Sequence, residues 1–83
     1  MTSSVRARLR AVLDAVAPSI AVSEAVEVRG LLEAGEEPLA LEQLVRFLFD
    51  HDVAVPGWVK AELIALAHHH GSSRRGLDTL PVR

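Results

Sequence analysis

The chain has no cysteine and no tyrosine, and only two phenylalanines and one tryptophan among its 83 residues. Each absence removes a class of protein. Without thiols there is no disulfide framework and no thiolate metal centre, so a chain this short must hold together by packing. With so few aromatics, Ala, Val and Leu must fill the core, which favours closely packed helices. No stretch approaches the ~18 uninterrupted apolar residues of a membrane span, and the basic N-terminus leads into a charged amphipathic pattern instead of a signal peptide. This reads as a soluble, cytoplasmic protein. The five glycines are scattered, so no glycine-rich loop is available to cradle a phosphate. Alternation of period two is nearly absent, the closest stretch being "DVAVP", which is short and ends in proline. There is no internal repeat and no low-complexity segment.

What is present is a globular composition, 49% apolar, with room for one core. The net charge of −2 conceals an asymmetry. The first ten residues carry Arg6, Arg8 and Arg10 and no acid. From Glu24 to Asp52, eight acids stand against Arg29 and Arg46, a local charge of −6.

The spacing predicts an all-α fold, a small single-domain bundle of about four helices over residues 1–71. A C-terminal tail over 72–83 has no period and reads as flexible. The first helix covers about residues 4–16, with Val5, Leu9, Val12, Leu13 and Val16 on one face, a cap at Ser3 or Ser4, and a stop at Pro18. The second starts from Ser23 or Ser19, groups Ala21, Ala25, Val28 and Leu32, has a weak point at Gly30, and ends at a left-handed Gly35. The third opens at Pro38 and has a wide apolar arc centred on Leu41, Leu44, Val45 and Leu48, which predicts the central element. Pro56 opens the fourth, where Val59, Leu63, Leu66 and Ala67 share a face and Gly71 follows as the cap.

Candidate chemistry is sparse. Adjacent helical residues point ~100° apart, so His68, His69 and His70 cannot converge on one metal, and they suit the negative end of a helix instead. His51 lies between Asp50 and Asp52 but has no nucleophile in a recognisable motif. Paired carboxylates would need a cleft that a chain of this size has little volume to build. The reading is therefore not an enzyme, with no cofactor and no metal. Trp58 serves either as an interface anchor or as a packing residue at a helix start. The basic "VRARLR" and "SSRRG" support an alternative, a small regulator or adaptor that binds nucleic acid through its first helix and tail, although the acidic middle would repel phosphate.

The stretch "LLEAGEEPLALEQLVRFLFDHDVAVP", residues 31–56, resembles the MafI-type immunity proteins of bacterial polymorphic toxin systems. The matching residues are Leu31, Leu32, Gly35, Glu36, Ala40, Leu41, Glu42, Leu44, Leu48, Asp52, Val53, Val55 and Pro56. Glu37-Pro38 departs from the aromatic and small residues that members often carry after the Gly-Glu turn. The resemblance covers about a third of the chain. It implies a cytoplasmic antitoxin that neutralises a cognate toxin domain; the chain itself reads as a monomer or weak homodimer. Many such toxins are nucleases, whose basic surface an acidic patch would complement. The expected toxin-binding residues are Glu33, Glu36, Glu37, Glu42, Arg46, Phe49, Asp50 and Asp52.

Overall fold

Ser4 starts the first helix: its Oγ accepts the N–H of Ala7 at 3.0 Å, satisfying one of the amides that a helix start leaves free. The computed structural model describes residues 4–71 and 76–83. From Ser4, helix α1 runs Val5–Val16, and a 3₁₀ turn at Ala17–Ser19 takes up Pro18. Three further helices follow: α2 (Val22–Glu33), α3 (Glu37–Asp50) and α4 (Gly57–His69). A second 3₁₀ turn spans Leu77–Thr79. The described residues contain no strand, so the fold is all-α.

The start of α2 differs from the serine caps read in the sequence. Ala21 occupies the N-cap position, and Glu24 reaches back to accept the Ala21 N–H at 2.8 Å. The carboxylate makes the N3-to-N-cap half of a capping box without a serine hydroxyl for the other half, and Ala21 is exposed instead of joining the apolar face. Gly35 ends this helix with φ +78, while its N–H and that of Glu36 bond back to Leu32 and Leu31. These are the paired bonds of a Schellman motif. The same motif closes α3 without a glycine. Asp52 adopts φ 51, its N–H reaches the Phe49 carbonyl at 3.1 Å, and the Val53 N–H reaches Leu48 at 2.9 Å.

The apolar stripes meet as the periodicity predicts. Leu9, Val12, Leu13 and Val16 of α1 and Leu41, Leu44 and Leu48 of α3 are buried, as are Val59, Leu63, Leu66 and Ala67 of α4. Both α1 and α3 pack against all three other helices. The central position expected of α3 alone is therefore shared with α1. Full burial of a leucine contributes about 1.5–3 kcal/mol before the entropy of ordering it.

The C-terminal segment is the main correction. Residues 76–83 are not a tail separate from the bundle: Leu77 and Leu80 are buried in the core. Val55 donates its N–H to the Pro81 carbonyl and accepts the Arg83 N–H, each at 2.9 Å, so "DVAVP" forms one parallel bridge with the C-terminus. Lys60 Nζ adds a bond to the Asp78 carbonyl at 2.9 Å. The two leucines carry no period, yet they join the core where the Leu77–Thr79 turn packs against α4. Ser72, Ser73, Arg74 and Arg75, the first part of the expected tail, lie outside the described residues.

Candidate docking surface

The carboxylates singled out in the sequence fall into two groups at opposite ends of α3. Glu33 and Glu36 are exposed around the α2–α3 turn, and Glu37, the first residue of α3, is half-buried. Asp50 and Asp52 are exposed at the other end. A fourteen-residue helix at 1.5 Å per residue separates these ends by about 20 Å. The eight candidates therefore do not form a single cluster: Glu33 lies on α2 beside Arg10, and Glu37 projects from the opposite side of α3 to Glu42 and Arg46.

Between the ends, Glu42, Arg46, Phe49 and Asp50 share the outward side of α3, since positions four, seven and eight apart return to one helical face. Leu39 joins them. It is 40% exposed and Phe49 is 37% exposed, so the face combines charge with apolar anchors. Leu39 was absent from the sequence-based set, yet projecting α3 at 100° per residue places it beside Glu42 and Arg46. A Cβ at Gly76 would lie 4.0 Å from Phe49 Cζ, so the docked C-terminus backs the end of this ring.

Several charges already have work within the fold. Arg8 of α1 pairs with Glu62 of α4 through two hydrogen bonds, at 2.9 and 2.6 Å. This holds the Glu62 carboxyl below the usual carboxylate range and raises Arg8. His51 Nε2 lies 2.7 Å from Glu24 Oε1, tying the end of α3 to the start of α2. The Ala21 amide is the main cause of the lowered Glu24 pKa, with His51 contributing less. Asp14 and Arg29 meet at 3.5 Å, and Glu33 lies 3.6 Å from Arg10. Of the expected toxin-binding acids, only Glu33 thus has an ion-pair partner among the described residues. Glu36, Glu37, Glu42, Asp50 and Asp52 have none there.

The remaining candidates stay apart. His68 and His69 are exposed in the last turn of α4, and the His69 and His70 rings meet edge to face at 5.2 Å. No group of three or more His, Asp or Glu among the described residues is placed to hold a metal. Trp58 is 51% exposed at the start of α4, short of a fully packed residue. Val22 and Val26 are also exposed, on the outer side of α2. Among the described residues no helix is long and apolar enough to cross a membrane. Comparison with protein-family models, curated proteins and solved structures found no match.

Proposed function

We propose that this chain is an immunity protein that neutralises a cognate bacterial toxin domain by binding it, with no chemistry of its own. The observation that carries the reading is the outward face of α3. Exposed carboxylates without ion-pair partners among the described residues flank two exposed apolar side chains, on the same segment that resembles the MafI-type proteins. Apolar anchors such as Phe49 and Leu39 would supply most of the affinity. The acids would speed encounter with a basic surface, such as that of a nuclease, and disfavour other partners. Antitoxin and toxin would meet in the cytoplasm.

The nucleic-acid alternative has less support. Arg8 is committed to Glu62, and Arg10 lies close to Glu33, which leaves less of helix α1 to meet phosphate. Arg74 and Arg75 lie outside the described residues.

Co-expression tests the proposal. The toxin domain encoded immediately upstream should arrest growth when expressed alone and not when this chain accompanies it. Unrelieved arrest with soluble protein present would refute the reading.

A further inference from the structure

We propose that two copies of this chain associate through α3, antiparallel and about a two-fold axis. The residues that α3 turns outward, Leu39, Glu42, Arg46 and Phe49, follow one another at intervals of three, four and three. That is the a-d-a-d spacing of a coiled-coil seam, confined to an arc of about 80°. All four are exposed. The core-facing leucines of the helix, Leu41, Leu44 and Leu48, form a different stripe and are consumed within the bundle.

The order of the seam is apolar, acidic, basic, apolar. In an antiparallel pair an a position meets a d position, so Leu39 lies against Phe49 of the second copy and Glu42 against Arg46 of the second copy. The two-fold axis then repeats both contacts. Every layer is complementary. A parallel pair would set each glutamate beside a glutamate and each arginine beside an arginine, so charge alone selects the antiparallel arrangement. Within one chain Glu42 and Arg46 are four apart, in the order that favours an intrahelical pair, but they form no ion pair. Neither has an ion-pair partner among the described residues.

The register also sets which flanking residues meet. In this register Gln43 lies within a turn of Gln43 of the second copy across the two-fold axis, where the two amides can pair. Val45, partly buried against the core, borders the other side. At each end of the seam Asp50 comes level with Pro38 of the second copy, close to the acids Glu36 and Glu37, and this repulsion keeps the association weak.

The contact is short: four layers on a fourteen-residue helix fall below the ~1,200 Å² that marks a stable interface. Association is therefore weak and reversible, with a Kd on the order of 100 μM. The seam uses Glu42, Arg46 and Phe49 of the proposed toxin-binding face, so a toxin domain and a second copy compete for it. The dimer itself does not depend on the toxin reading.

Charge exchange tests the register. Sedimentation equilibrium of the wild-type chain from about 10 μM to about 1 mM should show a monomer–dimer equilibrium. Glu42→Lys and Arg46→Glu, each alone, place like charges in both central layers and should weaken association at least about tenfold. An equimolar mixture of the two variants should associate again, because each lysine and arginine then meets a glutamate. Both substitutions are on the surface, and unchanged helical circular dichroism checks the fold. A wild-type chain that stays monomeric throughout the range overturns the proposal, as do single variants that associate like wild type or a mixture that fails to associate.

Discussion

The Arg8 guanidinium donates to both carboxylate oxygens of Glu62, at 2.9 Å and 2.6 Å, and so fixes α1 against α4 across 54 residues of sequence. Glu62 and Glu24 both have pKa values lowered in the folded chain, so the unfolded chain binds protons more readily. Their contribution is complete above the ordinary carboxylate range and is lost as pH falls through the lowered folded values. Glu62→Gln should lower the urea midpoint near neutral pH and flatten the acid side of the stability profile. A profile as steep as wild type's would assign that pH dependence to other groups.

Two glycines should respond in opposite directions to the same substitution. Gly30 is inside α2, and an added Cβ would meet nothing within 4 Å, so Gly30→Ala should stabilise by about 0.5–1 kcal/mol. Gly35 holds φ +78 at the exit of the same helix, and Gly35→Ala should destabilise by about 1 kcal/mol or more. Denaturant unfolding of the pair reads both signs.

The docked C-terminus should matter as much as a helix. Leu80 is 1% exposed, and Leu80→Ala should cost about 2–4 kcal/mol. Removing residues 77–83 would delete Leu77 and Leu80 together, expose the core side chains they cover, and strip both Val55 backbone partners. Thermal unfolding of the truncated chain should therefore show a large loss of cooperativity and midpoint; an unchanged midpoint would mean that the segment contributes little.

Asp52 separates fold from binding. Its left-handed conformation is one that asparagine also tolerates, so Asp52→Asn removes a charge while keeping the motif that ends α3. Combined with Asp50→Asn, it should slow association with a toxin domain and reduce its salt dependence with little change in stability. Phe49→Ala should instead speed dissociation. Surface-plasmon kinetics separate the two rates.

The helices were legible because their signals are local. Pro18, Pro38 and Pro56, the left-handed glycines at 35 and 71, and the 3.6-residue stripes each act within a turn or two of chain. The C-terminal segment was not legible, since Leu77 and Leu80 carry no periodicity and their burial depends on packing against distant residues, those of α4 among them. The Glu24 cap was hidden for a similar reason: a serine stood nearby, and the rule for caps favours it over alanine. The acids were visible as a charge excess, but their division did not appear in the sequence. Glu24 binds His51 and Glu33 lies near Arg10 only because folding brings distant residues together, whereas Leu39 could have been found by projecting α3.

The central claim is that this chain acts by occupying a toxin domain. The most direct measurement is a calorimetric titration of the proposed partner, a toxin domain encoded beside this chain, with the purified chain, with toxin activity assayed at each ratio. The account predicts a saturable complex whose formation parallels the loss of activity and which Phe49→Ala weakens at least tenfold, about 1.4 kcal/mol. A toxin that shows no heat of binding and retains full activity in excess of the chain would contradict it.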